Sequence, residues 1–184
     1  MDMMENSKIS CRRELWRGDI RREEMCECVV PDTCPDIDRI IDKSARVFIR
    51  GKGADKGTVF VESMAVCTVL FAGEQDNSLY RMEAELPFNM QAQVPGADSE
   101  TDIIALPRPE ELEVRLLNPR KLLIKAELGC AVCCYQPGEM TVASSVNAEN
   151  VHVLEKSVSI APVVAVREKT FVIEDELQLP ANGE

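Results

Sequence analysis

Residues 80–94 read Tyr-Arg-Met-Glu-Ala-Glu-Leu-Pro-Phe-Asn-Met-Gln-Ala-Gln-Val, with an apolar side chain at every even position. The odd positions are polar or charged, apart from Pro87. This strict alternation is typical of a β-strand with one buried face and one wet face. At about 3.3 Å per residue, an unbroken strand of this length would run about 50 Å, so we expect a break or bulge near Pro87.

The segments on both sides of this strand have the same two-residue period. Residues 58–72 alternate through Val59, Val61 and Ala65, and residues 121–135 alternate through Leu122 and Ile124. Turns rich in glycine, proline and asparagine separate the alternating segments. The pattern predicts an all-β, mainly antiparallel fold, either a β-sandwich or an open barrel, with hairpins at 58–94 and 111–135.

One short helix is predicted near residues 35–42. Residues 29–41 read Val-Val-Pro-Asp-Thr-Cys-Pro-Asp-Ile-Asp-Arg-Ile-Ile. Pro35 suits the first helical position, and Asp36 and Asp38 would lie in the first turn, where negative charge is favoured. Three isoleucines would then share one face and plug the core: Ile37, Ile40 and Ile41.

Composition narrows the classes of function. The 184-residue chain carries a formal net charge of −11, which argues against a nucleic-acid groove and against electrostatic binding to an anionic membrane. The first twenty residues are charged throughout, and no apolar run is long enough to span a bilayer. We therefore expect a cytoplasmic protein that binds a protein or a small molecule, with its eight cysteines reduced.

The chain divides into three predicted parts. Residues 1–23 form a charged N-terminal arm or an edge strand, and residues 24–154 form the β-sandwich domain. Residues 155–184 form a linker and the first strand of a truncated second repeat, because Leu179-Pro180 after an acidic strand repeats the arrangement of Val30-Pro31.

Several landmarks in one order resemble the SPOCS-type domain of endospore-forming bacteria. They are Val-Pro-Asp at 30–32, Pro-Asp-Ile-Asp-Arg-Ile-Ile at 35–41, Gly-Thr-Val-Phe-Val-Glu at 57–62, Glu-Leu-Pro-Phe at 85–88 and Leu-Asn-Pro-Arg-Lys-Leu at 117–122. The resemblance covers roughly residues 24–136.

This resemblance implies an adaptor or scaffold role and not catalysis. Domains of the family often occur in tandem ahead of a C-terminal LysM peptidoglycan-binding module, which this chain lacks. Some members are spore-envelope morphogenetic proteins that bind the ATPase scaffold coating the forespore. By resemblance, the chain would act in spore coat assembly on the mother-cell side of the forespore, without a cofactor.

The cysteines offer the strongest alternative chemistry. Four thiolates from Cys26, Cys28, Cys130 and Cys133 would suit Zn²⁺ if the first strand lay beside the 121–135 strand. The spacing favours packing, since only one Cys-x-x-Cys pair occurs and alternation sends Cys133 and Cys134 to opposite faces. A cysteine-based metal-binding or redox-sensing domain is therefore the second hypothesis for the function. A small-molecule-binding sandwich is the third.

Other chemical motifs are incomplete. His152 is the only histidine and lacks an accompanying nucleophile motif. The acidic clusters, one of them Glu174-Asp175-Glu176, lack the spacing of a calcium loop, and the glycines at 51–57 lack the Lys-Ser/Thr of a phosphate loop. We predict that the chain is not an enzyme.

Two sets of residues are candidates for contact with a protein partner. The first lies at the proline-rich corner and comprises Asp32, Asp36, Asp38 and Arg39. The second is the outward half of residues 58–72, which would form an apolar patch if no second sheet covered it: Phe60, Met64, Val66 and Leu70. An acidic rim around this patch would favour a basic partner surface.

Overall fold

The computed structural model describes residues 3–147, 152, 154, 156–159, 161–167 and 169. Within these residues the regular structure consists of six β-strands. They are β1 (Met3–Val29), β2 (Ile37–Asp55), β3 (Thr58–Gly73), β4 (Leu79–Gln93), β5 (Asp102–Asn118) and β6 (Lys121–Asn147).

The strands form two antiparallel sheets of three. One sheet has the order β1-β6-β5, and the other has the order β2-β3-β4. The predicted hairpins are present, since β3 pairs with β4 from Thr58–Gln93 to Ala72–Leu79, and β5 pairs with β6 through the turn after Asn118. The prediction of an all-β antiparallel sandwich is confirmed.

The core lies between the two sheets. Val59, Cys67 and Phe71 of β3 are fully buried, as are Ile124 and Leu128 of β6. Even positions of β4 from Met82 to Met90 are buried, Tyr80 and Ala92 are half-buried, and odd positions are exposed, as the alternation of residues 80–94 predicts. Burial of these aliphatic side chains is the main favourable contribution to folding, at about 25 cal/mol per Å² of apolar surface.

The prediction of a helix near residues 35–42 is wrong. Ile37 begins β2 and pairs with Gly73, with register shifts between Ile37 and Arg39 and again between Ile40 and Asp42. Each bulge inserts an extra residue and shifts the two-residue alternation by one position. Ile37 and Ile40, which are three residues apart as on one face of a helix, can therefore both face the core from a strand. Ile37 is buried and Ile40 packs against the core, whereas Ile41 remains 44% exposed.

The predicted break near Pro87 is also wrong. Strand β4 pairs with β3 without a register shift, and Pro87 lies opposite Met64. Strand β4 is an edge strand, the position in a sheet that tolerates a residue without an N–H. Most of the glycine-rich segment 51–57 belongs to strand β2. The two residues that follow the strand, Lys56 and Gly57, form the turn and have φ angles of 45° and 80°.

Part of the predicted domain division lies beyond what the structure describes. Strand β1 runs through position 23 as an edge strand, and the boundaries of the three predicted parts stay predictions. The first strand of the second repeat and the acidic residues Glu174–Glu176 lie outside the described residues. No helix among the described residues is long and apolar enough to cross a membrane.

Candidate protein-interaction surface

The outer face of the β2-β3-β4 sheet carries an apolar patch. Met64 lies at its centre, because it pairs with Phe48 on one side and with Pro87 on the other. Val66 extends the patch by one step along β3. Phe48 is 47% exposed and Pro87 is exposed, while Met64 and Val66 are half-buried by their neighbours. We call these four residues the outer patch.

Charged side chains surround the outer patch. Val66 lies between Arg46 and Glu85, and Arg46 reaches Glu83 at 3.3 Å. Arg81 also forms an ion pair with Glu83. The exposed carboxylates Asp42, Glu62, Glu83 and Glu85 lie on this face together with the arginines Arg39, Arg46 and Arg81. An acidic rim around apolar side chains suits a partner that presents an apolar group flanked by basic residues.

The other predicted members of this face lie at its two ends. Phe60 pairs with Gly53, and its ring lies where a Cβ atom on Gly53 would be. Leu70 pairs with Asp42 and Arg81 at the opposite end. Both are half-buried, and both are separated from the outer patch by a polar position of β3, Glu62 or Thr68.

The corner between β1 and β2 is held by one arginine. Arg120, in the β5–β6 turn, donates hydrogen bonds to the carbonyl oxygens of Cys34 (2.7 Å) and Val30 (3.0 Å). The backbone adds two more links, since Val30 N donates to Arg120 O and Ile37 N donates to Pro119 O, both at 2.9 Å. Segments about ninety positions apart in the sequence are thereby joined at one end of the sandwich.

The predicted corner residues are distributed around this arginine. Asp32 and Asp36 form ion pairs with Arg120 at 3.2 Å and 3.4 Å. Asp38 instead pairs with Arg39, which also donates to Asn77 Oδ1 at 3.0 Å in the β3–β4 turn. Arg120 brings Asp32 and Asp36 together, whereas Asp38 and Arg39 face the neighbouring turn. The side chains of Asp32, Asp36, Asp38 and Arg39 therefore hold the connecting loops in place.

The β3–β4 turn has its own hydrogen bonds. Asp76 accepts from Ser78 N at 3.0 Å and from Tyr80 Oη at 2.8 Å. The bonds to Ser78 and Tyr80 lower the pKa of Asp76, and the bond to Asp76 raises the pKa of Tyr80. Glu74 N donates to Asp36 O at 2.9 Å, so this turn is tied to the corner as well.

The structure does not bring the four cysteines of the zinc alternative together. Cys26 and Cys28 are neighbours on β1, with their sulfur atoms 3.3 Å apart. Cys130 lies farther along the sheet, opposite Ile20, and Cys133 projects from the other face of β6. Burial raises the pKa of Cys26, so its thiol stays protonated at neutral pH. Among the described residues, no cluster of His, Cys, Asp or Glu suits a metal ion.

Neither His152 nor the described surface clefts form a site for small-molecule chemistry. His152 is exposed. The cleft with a volume of about 470 Å³ beside Lys52 and Asp102 is an open depression with mixed polar and apolar lining. It therefore differs from the deep apolar pocket that a small-molecule-binding sandwich requires.

Sequence reasoning missed Phe48 and Pro87 as members of the surface and Arg120 as the residue that holds the corner. Alternation gives a signal for Phe48, since Val47 and Ile49 point inward and the residue between them must point outward. The position of Pro87 beside Met64 follows only from the register between β3 and β4. Nothing local in the sequence indicates the contacts of Arg120.

Comparison with known proteins agrees with the family landmarks. Residues 36–117, which contain the whole outer patch, match the family model described as SipL, SPOCS domain. The comparisons with curated proteins and with solved structures gave no match. The family match indicates a sporulation-related protein-interaction module. Residues 36–117, less than half of the chain, are therefore similar to the SPOCS-type domain family.

Proposed function

We propose that the chain is a non-enzymatic adaptor in spore-envelope assembly. Its partner would be the morphogenetic ATPase scaffold that coats the forespore, and its place of action the mother-cell side of the forespore. The family match supports a protein-interaction role in sporulation, and the resemblance of the motifs supports the finer assignment.

The outer patch is the observation that carries this proposal. It combines exposed Phe48 and Pro87 with half-buried Met64 and Val66 on one face of a sheet whose other face forms the core, and no second sheet covers this face among the described residues. Burying apolar side chains of this kind at the centre of an interface, inside a polar rim, is the usual source of binding energy between proteins. The acidic rim adds selectivity for a basic surface.

The proposal also explains the firm anchoring of the corner. The contacts of Arg120 join the β1–β2 and β5–β6 connections at one end of the sandwich. A rigid support keeps the β2-β3-β4 sheet in one shape, so binding costs little conformational entropy. The corner then serves the surface indirectly, by holding it in place.

Recovery of partners from sporulating cells tests the proposal. We expect the tagged chain to recover the coat ATPase, and the Met64→Gln variant to recover about tenfold less, as loss of one central contact implies. Gln91→Ala, on the same face but away from the outer patch, should recover as much as the original chain. A reproducible lack of the ATPase with the original chain would contradict the proposal.

A further inference from the structure

Strands β1 and β6 extend beyond the rest of the sandwich. Strand β5 pairs with β6 only as far as the pair Asp102–Tyr135. Beyond it, residues 3–14 of β1 and 136–147 of β6 pair with each other, which gives a two-stranded ribbon of about 40 Å at 3.3 Å per residue. An ion pair between Arg12 and Asp102 at 3.2 Å joins its base to β5. Two strands alone are marginally stable in water, so a third strand would stabilise this ribbon.

The hydrogen bonds show which groups face outward. Arg12 N donates to Val163 O, so this N–H points away from β6, and the residue opposite, Pro137, has no N–H to offer. Antiparallel pairs alternate between bonded and non-bonded types. The backbone groups of Glu139, Thr141 and Ala143 therefore point to the edge of β6 that faces away from β1, and among the described residues none forms a backbone hydrogen bond with them there.

This edge lacks the protection that the other edges have. Strand β4 carries Pro87 and several glutamates, β2 carries lysine and arginine, and β5 carries Pro107 and Pro109. Strand β6 between Gly138 and Val146 has one charged side chain, Glu139. Prolines and charges are the usual means of preventing edge-to-edge pairing, so their scarcity here favours it.

The edge is complementary to a second copy of itself. Antiparallel pairing centred on Thr141 places Glu139 opposite Ala143 and Met140 opposite Val142, so no like charges meet. Met140 and Val142 share one ribbon face with Ile9, all three half-buried, and pairing two ribbons would make one continuous apolar stripe. We infer that two copies of the chain associate through the β6 edges at residues 138–144.

Measurement of molar mass by sedimentation equilibrium tests this inference. The original chain should reach twice the 20.5 kDa of one chain as concentration rises. Thr141→Lys and Thr141→Glu should each stay at the mass of one chain, because like charges would meet at the two-fold axis. An equimolar mixture of the two variants should recover the doubled mass.

A proline pair supplies the matched control. Thr141→Pro removes an outward N–H from β6 and should abolish the dimer. Lys8→Pro removes an outward N–H from β1, opposite Thr141 on the other edge of the ribbon, and the dimer should still form. A single-chain mass for the original protein at every concentration would overturn the inference. A dimer that survives Thr141→Lys would overturn it too, since that dimer would use another surface.

Discussion

Replacing Arg120 by alanine should destabilise the whole domain, although the side chain lies in a surface turn. Its guanidinium donates to the carbonyl oxygens of Cys34 and Val30, and each hydrogen bond from a charged group contributes about 1.5–3 kcal/mol. The ion pairs with Asp32 and Asp36 add about 0–1 kcal/mol each. Because the side chain is 33% exposed, we take the lower end and expect a loss of about 2–4 kcal/mol.

Urea unfolding followed by circular dichroism measures this loss. A chain of this size should lose about 2–4 °C in Tm per kcal/mol, so the thermal transition should fall by about 5–15 °C. Arg120→Lys should remain well below the original protein, since a lysine cannot donate in the same fork. The control is Arg115→Ala, because Arg115 is 67% exposed and its ion pair is with Glu113 on the same strand. It should change stability by less than about 0.5 kcal/mol.

An Arg120→Ala variant as stable as Arg115→Ala would show that Arg120 does not hold the corner. Full stability in Arg120→Lys would show that charge alone, and not two hydrogen bonds from one guanidinium to backbone carbonyl oxygens, holds the corner.

Three further predictions follow from the same structure. Glu85→Lys should weaken partner binding and reduce its dependence on salt, as measured by titration at several ionic strengths, because Glu85 lies in the acidic rim. Leu128→Ala should cost about 2–5 kcal/mol in urea unfolding, since the side chain is fully buried; a loss below about 1 kcal/mol would contradict the packing of the core. Burial raises the pKa of Cys67 from 9.0 to about 11. The folded state therefore keeps a proton that the unfolded state releases. The contribution of Cys67 to stability should be constant below pH 9 and should fall between pH 9 and pH 11, and the fall in stability over that range should shrink in Cys67→Ala.

Local pattern was enough to predict the strands that form the sandwich. The alternation of residues 80–94 predicted which side chains of β4 are buried, because one side of an edge strand faces the core and the other faces water. The same reasoning placed Met64 and Val66 on the outward half of residues 58–72. These features depend on period-two burial, which neighbouring residues reveal without knowledge of the fold.

Features set by pairing between distant strands were not predictable in this way. The helix predicted near residues 35–42 is a bulged strand, because the register shifts after Ile37 and Ile40 depend on the partner β3. The break expected at Pro87 is absent because β4 is an edge strand. Arg120 and Val30 are brought together only by the arrangement of the two sheets. Local sequence carries no signal for contacts of that kind.

We propose above all that the outer patch binds a protein partner. Titration of the purified chain with the purified coat ATPase, read by interferometry, tests it most directly. We expect saturable binding that weakens about tenfold in Met64→Gln, a loss of about 1.4 kcal/mol, and that is unchanged in Gln91→Ala. Binding of equal strength by the Met64→Gln variant, or no binding by the original chain, would contradict it.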